Sequence, residues 1–160
     1  QRPDHPGLKA QALAGGVLVV LAPAGYWPSA QAGMPLSLMA LADAPLIGLS
    51  SADPLAARLD TYLEAVEPPP RVRIAVQTYS LARAMVESGA GLAVIDPFTA
   101  LGASPATTTI RPLAPPLPIT LYAVTRATEP PPHTLSDLLQ VFSRQAQAQL
   151  DRIAGLAPDL

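Results

Sequence analysis

The sequence contains no cysteine and only two histidines, which removes several kinds of site from consideration. Without cysteine the chain can form no disulfide framework, no thiolate nucleophile and no cysteine-ligated zinc site, a composition that fits a cytoplasmic protein. His5 lies in an irregular leader and His133 in a proline-flanked turn, so we interpret both as loop residues rather than general bases. We predict no catalytic residue, no metal site and no cofactor.

The chain also lacks an excess of basic charge and a long apolar run. Its formal net charge is −2 and its ten basic residues are scattered, so no basic stripe is available to neutralise phosphates. The longest apolar run, residues 17–22, is far shorter than the roughly 20 residues that a membrane span requires. Residues 1–16 lack the apolar core of a secretory signal. We therefore expect no DNA binding by this chain alone and no membrane partner.

Prolines separate the periodic segments of this 160-residue chain. Apolar runs predict buried strands, and an alternating stretch with Val72, Ile74 and Val76 on one side predicts a half-buried one. Apolar residues at helical spacing predict helices. The predicted strands cover residues 17–21, 45–49, 71–76, 92–95, 109–111 and 119–125, and the predicted helices cover 36–42, 54–66, 79–88 and 135–153. Residues 1–16, 103–109 and 112–118 are predicted to be loop. The order indicates an α/β, doubly wound fold.

Residues 77–100, QTYSLARAMVESGAGLAVIDPFTA, are predicted to bring two polar loops to the same edge of a sheet. Thr78 can cap the helix that follows, and the helix N-terminus suits an anion such as a carboxylate. Gly89 occupies the position where a helix ends in a left-handed residue. Asp96 and Pro97 end the next strand. Ligands of open α/β sheets bind beyond the carboxyl ends of the strands, so we expect a binding site here.

A third polar loop follows the strand at residues 45–49. Asp53 and Pro54 form a helix start signal there, and a serine pair precedes them. For Ser51 and Asp53, helix capping and ligand contact are equally open; Asp96 could bond only to its own turn or pair with a cationic ligand group. The residues predicted to bind a ligand are Ser50, Ser51, Gln77, Thr78, Ser80, Asp96, Pro97 and Thr99.

The capped helix followed by VESGAGLAVIDPFTAL closely resembles the effector-binding domain of LysR-type transcriptional regulators. Residues 94–100, VIDPFTA, most resemble the branch that senses amino acids and opines. The resemblance implies a periplasmic-binding-protein-like (type 2) fold of two doubly wound lobes. It also implies a cytoplasmic homo-oligomer that regulates transcription and binds a small carboxylate effector, with contacts at the helix start that matches Thr78.

The resemblance also divides the chain. Residues 1–23 correspond to the end of a partial first lobe (RD-I), residues 24–118 to a complete second lobe (RD-II), and residues 119–160 to the return into the first lobe, with its C-terminal strand and helix. Hinge crossovers are expected near residues 23–28 and 112–118. Tyr26 and Trp27 replace part of a Gly-His-Pro-Leu-Ala-like motif and are expected to pack at the hinge.

Parts of the family's architecture have no counterpart in this sequence. The DNA-binding winged helix-turn-helix, the linker helix and the opening strands of the first lobe are missing, so DNA contact is expected only through that N-terminal part. Self-association is expected through the helix at 54–66 and the strand at 71–76. Because their partner surfaces lie in the missing part, we expect this chain alone to associate irregularly.

Two other classes of protein remain open on the sequence alone. A periplasmic-type solute-binding protein shares the bilobal architecture, but it needs a secretory signal and two complete lobes. A small α/β enzyme is the other alternative. The sequence carries none of the nucleophile-elbow, zinc-protease, Walker or dinucleotide motifs, and Gly89-Ala90-Gly91 precedes a strand rather than a helix, which is typical of a cap and not of a phosphate loop.

Overall fold

A computed structural model describes residues 5–28, 31, 33–50, 54–128 and 132–155, and it contains two β-sheets. The strands are β1 Leu8–Val17, β2 Val19–Pro23, β3 Leu36–Ser37, β4 Leu46–Leu49, β5 Val72–Val76, β6 Leu92–Ile95, β7 Thr108–Ala114 and β8 Pro118–Arg126. The helices are α1 Pro54–Glu64, α2 Tyr79–Glu87, α3 Pro97–Leu101 and α4 His133–Gly155, with a 3-10 turn at Leu38–Leu41.

The larger sheet has six strands in the order β3-β7-β2-β6-β4-β5. Strand β4 is parallel to both β5 and β6, whereas β2 is antiparallel to β6 and β7. Strand β3 pairs with β7 in parallel. The three parallel strands therefore end at one edge of the sheet, and β2 begins at that edge.

Both faces of the six-stranded sheet are covered. Leu92 and Val94 of β6 belong to a core cluster that includes Leu59 and Leu63 of α1. The alternate residues of β6, Ala93 and Ile95, join a second cluster with Ala82 and Val86 of α2. Burying one such leucine or isoleucine contributes about 1.5–3 kcal/mol. This two-sided burial explains why β6 is apolar at every position.

The smaller sheet pairs β1 with β8 in antiparallel register. Helix α4 packs on it: Ala14 of β1 is buried with Ala146 and Leu150 of α4, and the Ser143 hydroxyl donates a 2.6 Å hydrogen bond to the Leu13 carbonyl. The last turn of α4 reaches the other sheet, because Ile153 belongs to the second core cluster. Helix α4 thus contacts both sheets.

Several predicted elements are confirmed, including β4, β6, β8, α2 and the short helical turn that Ser37 caps. The strand predicted at residues 17–21 is correct only from Val19, because Val17 ends β1 and Leu18 lies between the two strands. The loop prediction for residues 1–16 was wrong, because Leu8–Val17 is a strand. Five of its ten residues are alanine or glycine, so it has no clear apolar alternation. The predicted turn after β6 is the short helix α3.

Other boundaries also differ from the prediction. Strand β7 runs through Pro112, which was predicted to be loop; its pairing with β3 starts only at Leu113, so one side of β7 is open at Pro112, where a sheet tolerates proline. The sequence also suggests Thr134 as the N-cap of the last helix, because Asp137 follows three residues later as in a capping box. Thr134 instead lies inside α4, since the amides of Leu135 and Ser136 both donate to the Pro132 carbonyl.

The predicted burial of two surface elements also needs correction. Val72 is 44% exposed because β5 is the last strand at one end of the sheet. The helical spacing of Leu55, Leu59, Tyr62, Leu63 and Val66 predicts one packed face on α1, but Tyr62 is 36% exposed. The proposed cap Asp53 lies outside the described residues.

Candidate functional site

Three loops meet at the carboxyl edge of the parallel strands. Strand β4 lies between β5 and β6, so Ser50, which follows β4, lies between the loop before α2 and the loop before α3. The Ser50 amide donates a 2.8 Å hydrogen bond to the Val76 carbonyl. This bond holds the loop after β4 against the end of β5. The fold therefore brings the described candidate residues to one edge of the sheet. Ser51 lies outside the described residues.

Thr78 caps α2 as predicted. Its backbone is extended, and its hydroxyl accepts a 3.2 Å hydrogen bond from the Leu81 amide. Gln77, Thr78 and Ser80 are all exposed, so their polar groups are open to solvent at the helix N-terminus. The positive end of the helix dipole faces the same region. This loop presents neutral hydrogen-bonding groups beside a partial positive charge.

Asp96 caps α3. One of its carboxylate oxygens accepts a 2.9 Å hydrogen bond from the Thr99 amide, and Pro97 occupies the first turn of the helix. The sequence left two interpretations of Asp96 open, a bond to its own turn or a pair with a cationic ligand group. The structure contains the bond to its own turn. Asp96 is partly exposed, so its carboxylate charge lies at the edge of the sheet and not in the core.

The crossover between the two sheets lies beside Asp96. Val19, at the start of β2, pairs with Ile95, at the end of β6, so the connection from β1 enters the larger sheet at this edge. A cavity of about 180 Å³ lies at the crossover and is lined by Val17, Pro97, Pro112 and part of α4. Pro97 itself is buried, and of the described candidates it alone lines this cavity.

Arg111 is a buried charge that the sequence interpretation missed. It is 5% exposed, and its guanidinium donates to the carbonyls of Met34 (2.8 Å) and Pro35 (3.3 Å) and to the side-chain oxygen of Gln31 (3.5 Å). It also lies 4.9 Å from the ring centroid of Trp27. Burial lowers the pKa of Arg111. Arg111 thus fastens the segment between β2 and β3 to β7.

No local pattern in the sequence marks Arg111, since its partners lie more than 70 residues away. Trp27 packs against the first core cluster and forms a T-shaped ring pair with Tyr26, which agrees with the expected packing role of these two residues. Within the described part of the chain, no group of three or more histidine, aspartate or glutamate side chains could hold a metal ion. No described helix has both the length and the hydropathy needed to cross a membrane.

Parallel strands whose polar loops meet beside a crossover to a second sheet are typical of α/β domains that bind a ligand at the carboxyl ends of their strands. The sequence comparison gives the family: the model of the LysR substrate binding domain matches residues 1–147, so the chain belongs to the LysR substrate-binding domain family. No curated protein matches the chain by sequence.

Solved structures agree with this fold. The regulatory domain of CcmR from Synechocystis PCC6803, in complex with 2-PG, is 17% identical with a TM-score of 0.71, over 89% of this chain and 70% of that one. The reduced OxyR regulatory domain from Pseudomonas aeruginosa is 24% identical with a TM-score of 0.68, over 88% and 70%. The BenM effector binding domain with its effector benzoate is 19% identical with a TM-score of 0.68, over 92% and 67%.

The share of each relative that is covered depends on what that structure contains. The chain spans 48% of full-length OxyR from Pseudomonas aeruginosa, so it corresponds to about half of a complete regulator. The resemblance to LysR regulators and the periplasmic-binding-protein-like fold are confirmed. Members of this family are regulators that sense ligands rather than enzymes. The amino-acid and opine branch stays a prediction.

Proposed function

We propose that this effector-binding domain senses a small molecule that carries a carboxylate, an amino acid or an amino-acid derivative. The observation that supports this proposal is the pairing of two unlike helix starts at one sheet edge. One is the N-terminus of α2, capped by Thr78, and the other is the loop that carries the Asp96 carboxylate. Ser50 lies between them.

The two helix starts differ in the charge that they favour. The N-terminus of α2, with exposed hydroxyls on Thr78 and Ser80, favours a negatively charged group. The Asp96 carboxylate gives one oxygen to the Thr99 amide and keeps acceptor capacity for an ammonium group. A ligand with one group of each sign, such as an amino acid, matches both. BenM, a structural relative, is described with benzoate, which is also a carboxylate.

We further propose that the effector acts through the relative position of two lobes. The expected division is residues 1–23, 24–118 and 119–160, although β2, within the first range, pairs with strands of the second. We propose Leu18 and Leu117 as the hinge, because the chain passes between the two sheets at these residues. A ligand shifts such an equilibrium only by the difference between its affinities for the two states.

The remaining parts of the proposal concern the complete regulator. DNA is contacted through an N-terminal domain that this sequence does not contain, and the protein acts in the cytoplasm as LysR regulators do. Self-association uses α1 and the edge strand β5. Strand β5 lies at the end of the sheet and exposes Val72, which supports this surface as the place where another chain pairs.

Calorimetry on the full-length regulator tests the ligand site with the common amino acids, octopine and nopaline as probes. Asp96→Asn keeps a good helix cap but removes the charge, so we expect about tenfold weaker binding of an amino acid. The corresponding molecule without its amino group should bind both proteins equally.

The second helix start is tested in the same way. Thr78→Val should weaken binding of both ligands, whereas Thr78→Ser, which keeps the hydroxyl, should not. If Asp96→Asn and Thr78→Val both bind the effector like the parent protein, the site is elsewhere.

A further inference from the structure

A second cavity, of about 380 Å³, lies away from the proposed effector edge. It is bounded by the end of α3, the turn that follows it, the start of β7 and the last turn of α4. Thr108 at the start of β7 pairs with Pro23, whereas the effector edge lies at the other end of β2, where Val19 pairs with Ile95. None of the described effector candidates lines this cavity.

The walls of this cavity are mostly apolar, and its polar groups are few. Leu101, Ala103 and Ile110 provide apolar surface, and each packs against the second core cluster. The Thr108 hydroxyl already donates a 2.8 Å hydrogen bond to the Ser104 carbonyl. Arg152 is the single charged side chain among the described residues that line it. The cavity therefore combines an apolar wall with one cation.

We propose that this cavity is a second ligand site, which binds a small amphipathic anion. Its volume lies within the range of roughly 300–1,000 Å³ that ligand pockets occupy. The apolar body of the ligand packs against Leu101 and Ile110, and its carboxylate pairs with the Arg152 guanidinium. Charge complementarity selects a carboxylate over a neutral molecule of the same shape.

Ligand binding at this site is coupled to the contact between the two sheets. Arg152 belongs to the last turn of α4, and the next residue, Ile153, is buried in the core of the six-stranded sheet. The earlier part of α4 packs on the two-stranded sheet through Ser143 and Ala146. A ligand held between Ile110 of β7 and Arg152 therefore stabilises the docking of α4 on the larger sheet, without occupying the proposed effector site.

Octanoate, with octanamide as its neutral counterpart, tests this site on the 160-residue chain. Titration calorimetry should detect octanoate binding that is about tenfold tighter than octanamide binding. Arg152→Gln should remove that preference. The matched control is Arg144→Gln, because Arg144 is exposed on the same helix and lies outside this cavity. Ala103→Leu should block both molecules by filling the cavity.

Two further measurements make the outcome unambiguous. Thermal unfolding shows whether Ala103→Leu is folded. If this variant is unfolded, the comparison of octanoate and octanamide binding by Arg152→Gln alone tests the proposal. Arg144→Gln should bind octanoate like the parent chain, because Arg144 lies outside this cavity. The proposal is overturned if octanoate does not bind, if Arg152→Gln keeps the preference for the anion, or if Arg144→Gln loses octanoate binding.

Discussion

The backbone amide of Leu18 donates a 2.9 Å hydrogen bond to the carbonyl of Leu117, at the point where the chain passes between the two sheets. Leu18 is the single residue between β1 and β2, and Leu117 immediately precedes β8. Both side chains are buried in the first core cluster. The two crossing segments are thus joined by a hydrogen bond at the proposed hinge.

We predict that the Leu18 amide exchanges with solvent roughly a thousandfold more slowly than exposed loop amides, equivalent to about 4 kcal/mol of protection. The protection should persist when effector binds the full-length protein, while its small-angle scattering profile changes. Hydrogen exchange followed by NMR measures the first quantity. Rapid exchange at Leu18, or identical scattering with and without saturating effector, would contradict the hinge.

Two neighbouring glycines are predicted to resist substitution for different reasons. A methyl group on Gly91 would overlap the carbonyl oxygen of Pro45, to which the Leu92 amide donates a hydrogen bond, so Gly91→Ala should cost about 1–3 kcal/mol. Gly89 has a φ of 82° and no neighbour within 4 Å of an added methyl, so Gly89→Ala should cost only its backbone strain, about 1 kcal/mol. Urea denaturation compares them, and a larger loss for Gly89→Ala would show that strain outweighs the clash.

The cap on α3 is predicted to contribute measurably to stability. Asp96→Ala removes the acceptor of the Thr99 amide and should lower the free energy of unfolding by about 1 kcal/mol, whereas Asp96→Asn should stay within a few tenths of a kcal/mol of the parent. Chemical denaturation of the three proteins measures the difference. Equal losses in both variants would mean that the charge, and not the cap, stabilises this helix.

Replacing the buried Arg111 should lower the free energy of unfolding more than replacing the Asp96 cap. Arg111→Met leaves the carbonyls of Met34 and Pro35 without this donor, so we expect a loss of about 2–3 kcal/mol. Fluorescence of the chain's one tryptophan, Trp27, should change in the folded state, because the guanidinium lies over its ring.

The effect of Arg111→Met should not depend on pH near neutrality. Burial lowers the pKa of Arg111, so a rise in pH would remove its proton from the folded state before the unfolded state and would increase stability, but only at strongly alkaline pH. Across neutral pH both states keep the charge. A loss that varies between pH 6 and pH 8 would show that another group is involved.

Self-association of the isolated chain is predicted to depend on β5. Val72 and Val124 are both strand valines and both 44% exposed, but Val72 lies on the edge strand of the larger sheet and Val124 on β8 of the smaller one. Val72→Lys should shift light scattering towards a monomer, because a charge on an edge strand opposes pairing. Val124→Lys is the control. If Val124→Lys dissociates the oligomers and Val72→Lys does not, the association surface is on the smaller sheet.

Local chemistry was sufficient to predict the central part of this fold. Thr78 caps a helix because its hydroxyl reaches an amide three residues away, and Gly89 ends that helix because its backbone adopts a positive φ. The fully apolar run of β6 is buried on both faces, as its composition indicates. Each of these features depends on residues close together in the chain, so the sequence determined them by itself.

Features that depend on distant partners were decided only by the tertiary structure. Strand β1 has little apolar pattern of its own and forms because β8, more than 100 residues later, supplies its hydrogen-bonding partner. Arg111 is buried because carbonyls of the segment before β3 surround it. The same holds for the edge where Ser50, Thr78 and Asp96 meet, since strand order places them together. The local sequence determines which hydrogen bonds a residue can form with its neighbours in the chain, whereas the identity of a distant partner depends on how the whole chain packs.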